Sequence, residues 1–124
     1  MTQRQEKVAQ RIKQEVSTII HDEIKDPRIG FVTITKVELT PDLRFGKVFY
    51  SVLGDDAQKK SAKEGLESAY KFIRKLLGER IKLRYTPDIV FKIDASAEYS
   101  IKMSQIFEKL EEERKQKEGQ DNDG

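Results

Sequence analysis

Two β-rich segments separated by a short turn constrain the fold of this chain more than any other feature. Residues 31–39 and 43–53 are rich in β-branched and aromatic side chains, and residues 40–42 lie between them. Pro41 presets the φ angle that a turn needs at its second position. Because so short a connection leaves no room for a crossover, the two segments are predicted to pair as an antiparallel hairpin. The alternation of the first strand slips near Lys36, which indicates a β-bulge.

Amphipathic helical patterns flank this hairpin. Apolar residues recur every three or four positions in three segments, which predicts a first helix that stops at Pro27, a middle helix that ends at Gly78 and a last helix after Asp94. Asp55 or Asp56 is the predicted N-cap of the middle helix. The three apolar stripes are Val8, Ile12, Val16, Ile19, Ile20 and Ile24; Ala62, Gly65, Leu66, Ala69, Phe72, Ile73, Leu76 and Leu77; and Tyr99, Met103, Ile106, Phe107 and Leu110.

A third strand is predicted at residues 88–93, after Pro87. The element order is then α-β-β-α-α-β-α, or α-β-β-α-β-α with the middle helix unbroken, and both describe an α+β domain with a three-stranded sheet packed against helices. We assign residues 1–110 to this domain, and residues 111–124 to a helix extension and a disordered charged tail. The sheet and the first, middle and last helices are expected to share one core, with Ile12, Val16, Ile34, Val48, Val52, Leu66, Phe72, Ile73, Leu76, Phe91, Ile106 and Phe107 as its best candidates.

The composition excludes several classes of protein. The chain has no cysteine, so disulfides and thiolate chemistry are excluded. The N-terminal residues lack the apolar region of a signal peptide, and no apolar run approaches membrane length. We therefore expect a soluble, cytoplasmic protein that does not contact a membrane. We also expect a monomer with no cofactor and no small-molecule substrate.

Catalytic motifs are missing from the sequence. It contains no nucleophile elbow, no phosphate-binding glycine loop and no second histidine. His21 is followed by Asp22 and Glu23, but adjacent helical positions point in different directions and make a poor metal site. We predict no catalytic residues and no bound metal, and keep a metal-dependent hydrolase centred on His21, Asp22 and Asp26 as an alternative.

Positive charge is concentrated in residues 69–93. This segment carries seven basic and two acidic side chains, a net charge of +5, whereas the whole chain carries +2. Such a concentration is typical of a protein that binds a polyanion, nucleic acid above all, although a solvated helix face is the simpler alternative. Tyr70 and Tyr85 could stack on bases or pack partly in the core. The predicted phosphate contacts are Lys71, Arg74, Lys75, Arg80, Lys82 and Arg84, with Arg28 as a lesser candidate that could instead form a salt bridge.

Four short motifs occur in order along the chain. They are Ile24-Lys25-Asp26-Pro27-Arg28-Ile29-Gly30 before a strand, Pro41-Asp42-Leu43 in the hairpin, Phe72-Ile73-Arg74 with Leu76, and Leu83-Arg84 followed by Pro87, Ile89 and Phe91. Each motif is weak alone, but their order and spacing over the whole domain are specific. Together they resemble the ribosome-binding factor A family over about residues 4–110.

This resemblance implies both a fold and a function. Members of the family are small bacterial proteins with a type II KH-like fold and no known catalytic activity. They bind 16S rRNA in the immature 30S subunit and assist its late maturation, notably at low temperature. KH domains bind nucleic acid with a Gly-x-x-Gly loop, and this family has in its place a helix kink with the sequence Ala-x-Gly. The matching positions are Ala69, Tyr70 and Lys71, so the kink is expected at Ala69 and a lysine stands where the pattern has its glycine.

A protein–protein interaction module without direct RNA contact is the other alternative. Such a module would use its helices to bind a partner protein. It would form a salt-insensitive complex and would carry a contiguous exposed apolar patch.

Overall fold

The computed structural model describes residues 1–121, with the side chains of residues 97–101 and 118–121 left aside. Contacts group the chain into two units, Met1–Asp94 and Ala95–Gly124. The elements are α1 (Gln3–Thr18), a π-helical turn (Ile19–Glu23), a 3-10 turn (Pro27–Ile29), β1 (Val32–Leu39), β2 (Phe45–Val52), α2 (Asp56–Arg80), β3 (Asp88–Ile93) and α3 (Ala95–Asp121). The predicted α+β class is confirmed.

The first unit contains one three-stranded mixed sheet with the order β1-β2-β3. β1 and β2 form the predicted antiparallel hairpin, and their register shifts between Ile34 and Lys36, which confirms the bulge. β3 lies parallel to β2, with Asp88 opposite Phe45. A parallel neighbour needs a long crossover connection, and α2 provides it. This arrangement puts β2 in the centre of the sheet.

α1 is capped at its start and fixed to the sheet. Thr2 and Gln5 form a capping box, in which each side chain accepts a hydrogen bond from the other residue's backbone N–H. The buried Gln5 side chain also donates to the Leu39 carbonyl oxygen at 3.2 Å. This bond places the start of α1 against the end of β1. At its other end, the helix becomes a π-helical turn after Thr18, and the backbone is extended at Ile24, ahead of Pro27.

α2 is one continuous helix of 25 residues. Asp55 is its N-cap, as predicted, in a capping box with Gln58. The observed element order is therefore α-β-β-α-β-α, and the predicted order with two middle helices, α-β-β-α-α-β-α, is wrong. The kink at Ala69 stays a prediction. The helix also continues past Gly78 and ends at Arg80, so Gly78 does not terminate it. Gly78 instead lies where the chain after α2 passes close to the helix. A Cβ at Gly78 would come within 2.7 Å of the Thr86 hydroxyl oxygen, so this glycine admits the returning chain.

Most of the predicted core is confirmed. Seven candidates are buried, namely Ile12, Val16, Ile34, Val48, Val52, Leu66 and Ile73. Leu76 and Phe91 are partly buried against them. Phe72 is 44% exposed, and Ile106 and Phe107 are 46% and 64% exposed, so these three predictions are wrong. Helical spacing identifies an apolar face, but burial also requires that another element covers that face.

α3 continues to Asp121. The disordered tail within residues 111–124 stays a prediction, and residues 122–124 lie outside the described part. The side chain of Tyr99, a member of the predicted stripe, also lies outside it. The domain boundary at residue 110 stays a prediction. Among the residues that were described, no helix combines the length and the apolar character needed to cross a bilayer.

Candidate nucleic-acid interface

Arg28 forms a bidentate pair with Asp26. Its Nη2 lies 2.7 Å from Asp26 Oδ2, and its Nε donates to both carboxylate oxygens at 3.1 Å. Asp26 also caps the 3-10 turn by accepting the Arg28 backbone N–H. The Arg28 side chain, helped by that backbone bond, lowers the pKa of Asp26 below its usual value. Arg28 thus has the salt-bridge role that the sequence left open.

Arg74 connects α2 to the segment that follows it. Its Nη2 lies 3.2 Å from Asp88 Oδ1 and donates to the Thr86 carbonyl oxygen at 3.0 Å. Its Nε donates to the Pro87 carbonyl oxygen at 3.4 Å. These bonds hold the connection between α2 and β3 against the helix.

Arg80 joins the end of α2 to the end of α1. Its Nη2 lies 2.9 Å from Glu23 Oε1, and its Nη1 lies 3.6 Å from Glu15 Oε2. The Arg80 side chain is 28% exposed. Arg80 is the last residue of α2, whereas the predicted end of this helix at Gly78 would have put it in the following loop. Two carboxylates therefore balance a charge that the sequence analysis had assigned to phosphate binding.

The other four residues predicted to contact phosphate are exposed, and no carboxylate neutralises their charge in the described part of the chain. Lys71 and Lys75 lie one turn apart on α2, and Lys82 and Arg84 lie in the connection before β3. Within the part of the chain that the structure describes, none of the four takes part in an ion pair. The predicted contacts without an ion pair to a described residue are thus a helical lysine pair (Lys71 and Lys75) and a connection pair (Lys82 and Arg84).

Arg84 also lines a pocket that the sequence analysis missed. The pocket has a volume of about 310 Å³ and is bounded by Arg4, Pro41, Asp42, Leu43, Arg44, Leu83, Arg84 and Tyr85. The Arg44 guanidinium carbon lies 4.5 Å from the centroid of the Tyr85 ring, and that of Arg84 lies 5.5 Å from it. Tyr85 is 51% exposed, so of the two alternatives left open for it, partial packing in the core is not observed. We call Arg4, Arg44, Arg84 and Tyr85 the arginine pocket.

The comparison with known proteins confirms the resemblance. The sequence model of ribosome-binding factor A matches residues 4–107. The chain belongs to this family. Ribosome-binding factor A of Halothermothrix orenii is 48% identical over 111 residues, which cover 90% of this chain and 91% of that protein.

Two coordinate sets of ribosome-binding factor A, a crystal structure and a fitted homology model, have the same fold. The crystal structure from Thermus thermophilus superposes with a TM-score of 0.64 at 20% identity, covering 72% of this chain and 94% of that one. A homology model of the T. thermophilus factor, fitted into a cryo-EM map of a 30S complex, superposes with a TM-score of 0.58 at 21% identity, covering 68% of this chain and 88% of that one. The KH-like architecture is consistent with both.

Ribosome-binding factor A proteins are non-enzymatic assembly factors, so this member is not an enzyme. The surroundings of His21 agree with that assignment. His21 is exposed, and Asp26 is engaged by Arg28. Among the residues that the structure describes, no three His, Cys, Asp or Glu side chains are grouped to hold a metal ion. The hydrolase alternative is therefore dropped.

Two members of the arginine pocket, Arg4 and Arg44, lie outside the basic segment that predicted the phosphate contacts. Arg4 belongs to the first turn of α1, and Arg44 directly precedes β2. Neither lies near the basic segment along the chain. A residue-by-residue charge count cannot find such a cluster, because its members meet only when the hairpin, α1 and the connection after α2 are packed.

Proposed function

We propose that this protein binds the small ribosomal subunit through 16S rRNA and assists late maturation of the immature subunit, notably at low temperature. Its membership of the ribosome-binding factor A family carries this proposal, and the 30S complex of the Thermus relative supports the choice of subunit. A factor without catalytic activity acts by binding one rRNA conformation better than another, which shifts the population toward it. It would work as a monomer in the cytoplasm, where ribosomes are assembled.

We assign the phosphate contacts to the helical lysine pair and the connection pair. Lysine and arginine neutralise backbone phosphates without reading sequence. Arg28, Arg74 and Arg80 already face carboxylates, so their proposed role is to hold the surrounding loops in place.

Co-sedimentation with purified small subunits across a salt series tests this assignment. Lys71→Glu/Lys75→Glu is expected to weaken binding and to make the log–log salt slope shallower by roughly 2, about one unit for each lost contact. Lys60→Glu/Lys63→Glu is the matched control, because it reverses two exposed lysines in the first half of the same helix. The control should bind like the unchanged protein.

The same experiment separates the function from the site. If the unchanged protein does not co-sediment with small subunits, the proposed function is wrong. If it does, but both double variants bind equally well, only the site is wrong. A complex whose affinity is insensitive to salt would instead favour the protein–protein interaction alternative.

A further inference from the structure

The arginine pocket gathers positive charge from three separate parts of the chain. Arg4 comes from the first turn of α1, Arg44 from the end of the hairpin turn, and Arg84 from the connection between α2 and β3. Like charges repel one another at short range, so converging guanidinium groups cost folding free energy unless something compensates them. Water and salt screen part of this repulsion because the three arginines are exposed, and carboxylates of the protein or a bound anion would compensate it more fully.

The protein provides little compensation of its own. Asp42 is the one carboxylate among the residues that line the pocket. Its Oδ1 accepts hydrogen bonds from the Thr40 hydroxyl at 2.6 Å and from the Arg44 backbone N–H at 3.1 Å, so it is engaged in the turn. Asp42 is ionised at neutral pH, and the Thr40 hydroxyl, followed by that backbone N–H, lowers its pKa further. Three arginines against one carboxylate leave a net charge of about +2.

No arginine of the pocket forms an ion pair with any side chain that the structure describes. Arg44 and Arg84 instead lie near the ring of Tyr85, at 4.5 Å and 5.5 Å from its centroid. Cation–π contacts of this kind orient a guanidinium group and leave its charge in place. The N–H donors at its edges keep the fork geometry that matches a phosphate group.

We propose that the arginine pocket binds a single nucleotide. Its phosphate group contacts the guanidinium groups of Arg4, Arg44 and Arg84, and its base stacks against the exposed surface of Tyr85. The volume of about 310 Å³ lies at the lower end of the range of roughly 300–1,000 Å³ for small-ligand sites. Aromatic rings and arginine planes are the usual partners of unpaired RNA bases. With the proposed function, the nucleotide would belong to a single-stranded stretch of rRNA.

NMR titration of the full chain tests this site without a ribosome. The probes are a uridine tetranucleotide, UMP, uridine and inorganic phosphate, and the readout is the Tyr85 ring signals and the arginine Nε–Hε signals. We expect saturable shifts that are strongest for the tetranucleotide, weaker for UMP, and absent for uridine and phosphate at equal concentration. A stronger response to UMP would assign the site to a free nucleotide rather than to RNA. If neither nucleotide shifts these signals, or inorganic phosphate alone shifts them equally, the proposal is overturned.

Charge-conserving variants separate this pocket from general electrostatic attraction. Arg44→Lys keeps the charge and removes the planar fork, and Tyr85→Leu removes the stacking surface, so each should weaken tetranucleotide binding at least about fivefold. Lys60→Arg is the matched control and should bind unchanged. If Arg44→Lys and Tyr85→Leu, with native amide spectra, both bind like the control, the pocket is not a nucleotide site. This result does not depend on subunit binding, so it is distinguishable from failure of the proposed function.

Discussion

Arginines of this protein have two different roles, and the role depends on the nearest carboxylate. Arg28, Arg74 and Arg80 each lie within 3.2 Å of an acidic oxygen, whereas Arg84 lies beside an aromatic ring. An exposed ion pair stabilises a protein only weakly, so its main effect here is to fix side-chain positions. Cations without such a partner can meet an RNA phosphate without first giving up an ion pair.

Arg80→Gln is expected to affect stability more than RNA binding. It removes the link between α2 and the carboxylates of Glu15 and Glu23, which should lower the free energy of unfolding by about 1 kcal/mol or less. Urea denaturation measures this change. Lys82→Gln, at an exposed position without an ion pair to the described residues, should leave the free energy of unfolding unchanged. Equal stability of the two variants would contradict the structural role of Arg80.

Asp26 gives a pH prediction with a definite sign. Its pKa in the folded state lies below the usual value of 3.8, chiefly because Arg28 donates to its carboxylate. The pair therefore stabilises the fold above the unfolded-state pKa, and this contribution is lost as the pH falls through the folded-state pKa. Arg28→Gln should raise the pKa of Asp26 toward 3.8, which carboxyl ¹³C shifts would measure. An unchanged pKa would show that the Arg28 side chain is not its cause.

At the scale of elements, glycines in α2 mark close approaches and not helix ends. Gly65 is buried, and a Cβ there would come within 2.8 Å of Ile29 Cγ1 and 3.2 Å of Arg28 Cβ. Ile29 is itself only 2% exposed and has little room to move. Gly65 is unfavourable for the helix itself, because glycine is a poor helix former. It lets the 3-10 turn pack directly on α2.

Gly65→Ala should destabilise the protein although alanine is the better helix former. Helix propensity favours the change by about 1 kcal/mol, but overpacking against Ile29 costs about 1–3 kcal/mol. Thermal and urea unfolding measure the balance, which we expect to be a net loss. Ser68→Ala, at an exposed position of the same helix, changes propensity without packing and should stabilise slightly. A stabilised Gly65→Ala variant would show that the 3-10 turn moves away easily.

At the scale of the whole molecule, the buried core belongs to the first unit. Every buried apolar side chain that the structure describes lies between Ala9 and Ile89. Ile106, Phe107 and Leu110, by contrast, are 46%, 64% and 55% exposed. A compact unit with its own core is expected to fold by itself.

A chain that ends at Ser96 should therefore keep the fold of Met1–Asp94. We expect a cooperative unfolding transition with nearly the same urea midpoint as the full chain, because the removed residues contribute no described core side chain. Circular dichroism should show less helix by about the length of α3. Loss of the cooperative transition would mean that the first unit needs the residues after Ser96.

The sequence by itself determined the local features of this protein and its family. The hairpin, the bulge near Lys36, the Asp55 cap and the limits of β3 follow from side-chain periodicity and short-range sterics, which act within a few residues. The four ordered motifs were enough to indicate ribosome-binding factor A. Tertiary structure alone decided which apolar faces are covered, as Phe72 and Phe107 show.

Tertiary structure also decided which charges remain available. Arg80 meets Glu23, and Arg84 meets Arg4 and Arg44 in one pocket, although these residues are far apart along the chain. Electrostatic interactions depend on distance in space, and a linear pattern of charges carries no information about that distance. The basic segment was therefore visible in the sequence, but its division into balanced and unbalanced cations was not.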